Sequence, residues 1–276
     1  IWPTVGANSK YYAEMREKGY LVQTERGIPA VIQFPDKDPF GVHFLTYYDA
    51  FNPDARDFHW DKAKRNYFDR GIHNFWLDAC EPEMRPAHAE HVRTHLGNGA
   101  EMLCAYPLLH AQRYAEGLTE AGAEDAVLLC RSTWAGGQRY PVILWSGDVW
   151  STWEHYRAQI AAGLHAAMSG LGWWTTDIGG FYEGHAENPD FRDLLVRWFE
   201  FGVFSPVCRL HGVRVPNDVP FSAPDGEVEY GRELFHGPPI VGHTRVEPLE
   251  AKLHLVVGAT RIESRKPEGN PLGLGT

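Results

Sequence analysis

The chain contains no stretch of about 18 apolar residues, so nothing in it reads as a membrane-spanning helix. Clustered Lys and Arg are also missing, and the formal net charge is −10. Polyanion binding needs such clusters, so a nucleic-acid partner is not expected. Cysteine is scarce: Cys80, Cys104, Cys130 and Cys208 are scattered without paired spacing. Free, mostly buried thiols fit that scatter better than a disulfide framework or a zinc knuckle. The compartment stays open, with a lean to the cytoplasm. Ile1-Trp2-Pro3-Thr4 has no starting Met, charged segment or apolar h-region, so the chain opens as a fragment or processed product would.

What is present is ordinary in bulk and unusual in aromatics. Hydrophobic residues make up 43 % and charged residues 22 % of 276, enough for a sizeable core and one α/β barrel. Ten Trp, twelve Tyr and fourteen Phe stand out. Most such rings serve a core, and their flat apolar faces also suit the C–H faces of sugars.

Along residues 1–212 short apolar runs alternate with amphipathic stretches. Ile1-Trp2-Pro3 reads as a strand end, and Asn8 is placed to cap a helix that Gly19 stops. Phe44–Tyr48 is strand-like. Residues 53–70 are helical in spacing, ended by Gly71. The runs 73–78, 127–130, 142–145 and 173–177 read as strands, and 206–210 runs into His211. Helices are expected at 107–121, at 153–168 through Trp153, Tyr156, Ile160, Leu164 and Met168, and from Asn188-Pro189 onward. Near-continuous apolar strands between helices imply a parallel sheet.

Polar residues follow those strands in the order Asp78, Arg131, Asp148, Asp177, His211. In a (β/α)8 TIM-type barrel these C-terminal ends converge on the active site. A doubly wound sheet would place them similarly, but no G-x-G-x-x-G or P-loop follows any strand, so the barrel is favoured. Residues 213–276 hold eight Pro and eight Gly and read as an irregular, loop-rich tail.

Paired acids suit glycosidic bond cleavage, in which one carboxyl protonates the leaving oxygen and another stabilises or traps the oxocarbenium-like centre; a strand-end acid equally often caps a helix or pairs with an Arg. Asp78 and Asp148 each close an apolar run beside a Trp. The strings around them are specific. Phe75-Trp76-Leu77-Asp78-Ala79-Cys80-Glu81-Pro82-Glu83, Arg131-Ser132-Thr133-Trp134-Ala135-Gly136-Gly137-Gln138-Arg139-Tyr140-Pro141, Trp145-Ser146-Gly147-Asp148, Trp174–Phe181 and Arg209-Leu210-His211-Gly212 occur in that order. Together they resemble the motifs of glycoside hydrolase family 31. Trp2-Pro3-Thr4, Tyr48-Asp49 and Asn52-Pro53 resemble that family's earlier barrel segments.

The resemblance implies a partial barrel, strands three to eight, over residues 1–212. It implies a retaining, exo-acting α-glycosidase of α-xylosidase or α-glucosidase type, with xyloside slightly ahead on the WLDA-x-EPE form. Asp78 would attack the anomeric carbon, and Asp148 would act as general acid and then base. Arg131 and His211 would bind hydroxyls of the cleaved sugar. Asp177 would help hold that group, by orienting Arg131 for instance, and Trp145 and Phe181 would form apolar walls. An α-linked xylosyl or glucosyl oligosaccharide is the implied partner, and no metal or organic cofactor is required; oligomeric state is not indicated.

Two rival readings follow from the same sequence. An inactive fragment could retain sugar affinity. His88, His91 and His95, with Glu90 beside them, would share one face if their segment were helical, as zinc ligands can; no H-E-x-x-H accompanies them.

Overall fold

A computed structural model describes residues 1–34, 43–84 and 86–214, all within one compact unit, Ile1–Gly242. The expected tail lies outside the described residues beyond Arg214. In chain order the strands are β1 (Thr4–Gly6), β2 (Gln23–Thr24), β3 (Val31–Phe34), β4 (His43–Tyr47), β5 (Phe75–Leu77), β6 (Val92–Thr94), β7 (Gly97–Asn98), β8 (Leu128–Cys130), β9 (Val142–Trp145) and β10 (Trp174–Thr175). The helices are α1 (Tyr12–Glu17), α2 (Pro53–Asn66), α3 (Pro86–Ala89), α4 (Gly99–Met102), α5 (Tyr106–Glu120), α6 (Trp153–Met168) and α7 (Pro189–Val203).

The parallel sheet runs β5-β8-β9-β10, with Phe75, Leu128 and Val142 in register, and then Leu77, Cys130 and Leu144. Side chains alternate across a strand. Phe75, Leu77, Leu128, Cys130 and Val142 therefore face outward and pack with Trp60 and Ala63 of α2 and Ala111, Tyr114 and Leu118 of α5. Trp76, Leu129, Ile143, Trp145 and Thr175 share the opposite, inner face. This is the layering of a TIM barrel.

The chain adds backbone neighbours at both sides of the sheet. The backbone N–H of Asp78 donates to Ile1 O at 3.0 Å, beside β5. At the other side the Thr175 hydroxyl donates to Val207 O at 2.8 Å, and Ile178 N to Arg209 O at 3.4 Å. Residues 206–210 thus lie along β10 as expected, although they form no regular strand.

Two antiparallel sheets lie outside this frame. One has the order β1-β4-β3, so the run at 44–48 belongs to an excursion and not to the barrel sheet. The other, β2-β6-β7, includes residues 92–94.

Local signals explain most helix boundaries. Asn52 accepts hydrogen bonds from Asp54 N and Ala55 N, with Pro53 in the first turn; Asn188 caps α7 in the same way ahead of Pro189. Asn8 does not cap α1. That helix starts after Tyr11 without a side-chain cap, because the turn at Gly6–Ser9 intervenes. α6 forms where its spacing predicts, but Leu164 and Met168 are exposed and not buried. Of the four thiols, two are buried (Cys80, Cys130) and two exposed (Cys104, Cys208).

Candidate active site

Each charged residue of interest follows the C-terminal end of a parallel strand: Asp78 follows β5, Arg131 follows β8, and Asp148 and Asp177 lie just past β9 and β10. Because Leu77 and Cys130 are in register, their successors emerge side by side, and Arg131 N donates to Leu77 O at 3.3 Å.

The Arg131 guanidinium organises the site. One terminal nitrogen, Nη1, lies 3.5 Å from Asp78 Oδ1 and 3.7 Å from Asp148 Oδ2. Those two oxygens are therefore within about 7 Å of each other, which is compatible with the ~5–5.5 Å carboxyl pair of retaining enzymes. The rest of the fork is held by Glu81, from Nε at 2.8 Å and from Nη2 at 2.9 Å, and by Glu83 at Nη2. A bidentate guanidinium–carboxylate pair fixes orientation as well as charge. Burial works against the Arg131 charge, but Glu81, Glu83 and Asp78 outweigh it and hold its pKa above the usual value.

The loop carrying Glu81 and Glu83 is pinned from the excursion. The buried Tyr47 hydroxyl donates to Ala79 O at 3.0 Å and accepts from Glu83 N at 2.9 Å. Ala79 adopts a left-handed φ of 52°, uncommon for a residue with a Cβ, and this turns the chain sharply just after Asp78. Asp78 itself is oriented by two donors, Trp2 Nε1 to Oδ2 and Ala79 N to Oδ1, each at 2.9 Å.

Asp148 is set apart electrostatically. Burial raises its pKa, Arg131 opposes that, and the negative charges of Asp78, Glu83 and Glu81 add to the rise. A carboxyl raised above the usual carboxylate range beside one oriented by donors is an arrangement suited to acid-assisted displacement.

Asp177 does not orient Arg131. It is wholly buried and paired with Arg209, which is 7 % exposed and stacks over Trp76 and Trp145 at 5.1 and 5.5 Å from the ring centroids. Burial raises Asp177 to about 6 against the pull of Arg209, and lowers Arg209 in turn. The orienting of Arg131, one role expected of Asp177, is done by Glu81 and Glu83.

Trp145 needs a similar correction. At 1 % exposure it lies inside the inner layer, edge-on to Trp76 at 5.3 Å. The ring that reaches the site at that place is the half-buried Trp76. Its centroid is 4.8 Å from His211, and Phe181 approaches His211 from another side at 5.4 Å. Burial, helped by the positive charges of Arg209 and Arg214, lowers His211 to about 4, so it is neutral near pH 7. A neutral imidazole can both donate to and accept from a hydroxyl.

His88, His91 and His95 do not share a face, because α3 ends at Ala89 and β6 takes over at Val92. Among the described residues no three or more His, Cys, Asp or Glu side chains gather closely enough to hold a metal ion. Trp2, Trp76, Glu81, Glu83 and Arg209 stand within the quoted motifs, yet spacing alone does not say which partner each one meets.

Known proteins resemble this chain in sequence and fold. Residues 1–234 match the family model described as "Glycosyl hydrolases family 31 TIM-barrel domain". The chain is 45 % identical over 216 residues to an uncharacterized family 31 glucosidase of Pseudescherichia vulneris, covering 78 % of this chain and 40 % of that protein. It is 36 % identical over 225 residues to an alpha-xylosidase of Saccharolobus solfataricus, covering 79 % and 28 %. A solved GH31 alpha-xylosidase from a soil metagenome, complexed with xylose, superposes with a TM-score of 0.73 at 47 % identity, covering 82 % of this chain and 32 % of that one. The chain thus spans well under half the length of these relatives.

Proposed function

The chain belongs to glycoside hydrolase family 31, and we propose from that membership that it carries a retaining α-glycosidase centre of α-xylosidase or α-glucosidase type. Asp78 is the nucleophile. It attacks the anomeric carbon of the terminal sugar while Asp148 gives its proton to the departing oxygen, leaving a covalent glycosyl ester on Asp78 and a free alcohol. Asp148, now a carboxylate, takes a proton from water, which attacks the anomeric carbon and frees Asp78.

The observation that carries this reading is the single Arg131 nitrogen between the two acids, with Glu81 and Glu83 holding it there. Arg131, His211 and the rings of Trp76 and Phe181 face the sugar from neighbouring strand ends, and the Asp177–Arg209 pair supports them from beneath. An α-linked xyloside is the favoured substrate, supported by the named activities of the relatives.

The test is release of nitrophenol from para-nitrophenyl α-xyloside and α-glucoside, with Asp78→Ala and Asp148→Ala alongside. Release that disappears in Asp78→Ala, and a mass increase of one sugar on the intact chain with a slow fluorosugar substrate, would support the assignment. Saturable sugar binding without release, unaltered by Asp78→Ala, would replace it with a binding fragment.

A further inference from the structure

Just beyond Asp148 the chain presents an indole to solvent. Trp150 is 44 % exposed, and its ring centroid lies 5.1 Å from that of Tyr182 at an interplanar angle of 39°. A single exposed apolar side chain needs no special account. This one is held in place by its backbone on both sides. Phe181 N and Tyr182 N donate to Val149 O at 2.6 and 3.1 Å, Ser151 N donates to Tyr182 O at 3.0 Å, and Trp150 bridges Tyr182 in parallel fashion.

The close approach depends on Gly180. Its φ is +81°, and a Cβ there would lie 2.6 Å from Ser151 Cα. The loop after β9 and the loop after β10 are thus locked together beside Asp148.

The rings also form a row. Trp76 meets His211 at 4.8 Å, His211 meets Phe181 at 5.4 Å, Phe181 meets Tyr182 at 4.6 Å, and Tyr182 meets Trp150. The row starts on the strand that delivers Asp78 and ends in solvent two residues past Asp148. An acid that protonates the leaving oxygen must face the leaving group, and the solvent end of this row follows Asp148 by two residues in the chain.

We propose that Trp150, backed by Tyr182, is a stacking platform for the leaving-group sugar, a neutral pyranose whose C–H face lies against the indole. The platform rests on the Asp78–Asp148 reading and adds the residues that favour a sugar over a small leaving group. Binding energy from a remote part of the substrate is the kind that raises selectivity between leaving groups.

The experiment compares the full chain with Trp150→Ala on two substrates with the same glycone: an α-xylosyl-glucose disaccharide and α-xylosyl fluoride, whose one-atom leaving group cannot reach the platform. The ratio of kcat/KM for disaccharide over fluoride is expected to fall about tenfold, the lower range for loss of one apolar contact. Trp150→Gln, which keeps bulk without an aromatic face, repeats the measurement should the alanine chain fold poorly. An unaltered ratio overturns the platform. No release of fluoride by the unsubstituted chain would instead count against the Asp78–Asp148 reading. The platform is then read by saturation-transfer NMR with glucose: a signal weakened in both variants supports it, and a signal absent throughout or equal in all three chains overturns it.

Discussion

Replacing Arg131 by Gln should move the basic limb of the pH–activity profile upward. That limb reports loss of the proton that Asp148 must donate. Arg131 Nη1 lies 3.7 Å from Asp148 Oδ2. At an effective dielectric near 20, a pair at that distance interacts by about 4–5 kcal/mol, equivalent to about three pH units. The Asp148 side chain is 30 % exposed, so solvent screening reduces this, and about 1–2 units is the expected shift. The sign is fixed: the cation favours the ionised acid, so its removal raises the Asp148 pKa further above the usual carboxylate value. Glu81 and Glu83 then lose their counter-charge and push the same way. The assay is kcat/KM from pH 4 to 9 on the better nitrophenyl glycoside, with Arg131→Lys as control. Lysine keeps the charge and should hold the limb near its original place even where kcat falls. A Gln profile whose basic limb stays put or moves to lower pH would refute the electrostatic account.

Three further outcomes follow from the contacts. Tyr47→Phe leaves Ala79 O and Glu83 N without their shared partner, so the melting temperature should drop by roughly 3–8 °C for a loss of about 1–3 kcal/mol; a drop under about 1 °C by calorimetry would mean the hydroxyl does not hold the loop. Asp177→Ala strands the Arg209 charge in a nearly solvent-free site, and urea unfolding should show a loss of about 3–5 kcal/mol, whereas under about 1 kcal/mol would contradict the buried pair. His211, neutral in the folded chain with its pKa lowered to about 4, refuses a proton that the unfolded chain accepts below its ordinary value near 6.5. Stability should therefore decline as pH falls from about 6.5 to 4, by roughly 1–3 kcal/mol from this residue after allowing for its partial exposure, and His211→Asn should flatten that part of the curve.

The barrel class was legible in the chain, and so were the strand ends at which Asp78 and Arg131 stand, because both are local. A parallel strand buried on both faces is a short apolar run, and a residue at its C-terminal end is simply the next polar letter, as with Leu77-Asp78 and Cys130-Arg131. Helix starts at Asn52-Pro53 and Asn188-Pro189 were legible for the same reason, since a cap bonds to nitrogens two or three residues on.

Partner choice was not legible, because it depends on residues far apart in sequence that only register and loop shape bring together. Asp177 meets Arg209 and not Arg131, because the segment at 207–209 lies along β10 while Glu81 and Glu83 are turned onto Arg131 by the bend at Ala79. Trp145 and Trp76 look alike as strand-end tryptophans; packing beneath Trp76 buries one and leaves the other at the site. Tyr47 looks like any strand aromatic until the excursion sheet carries its hydroxyl to the 79–83 loop. Residue types and strand ends fix what chemistry is available; side-chain pairing across tens of residues, which only the folded chain creates, decides which groups are positioned to perform it.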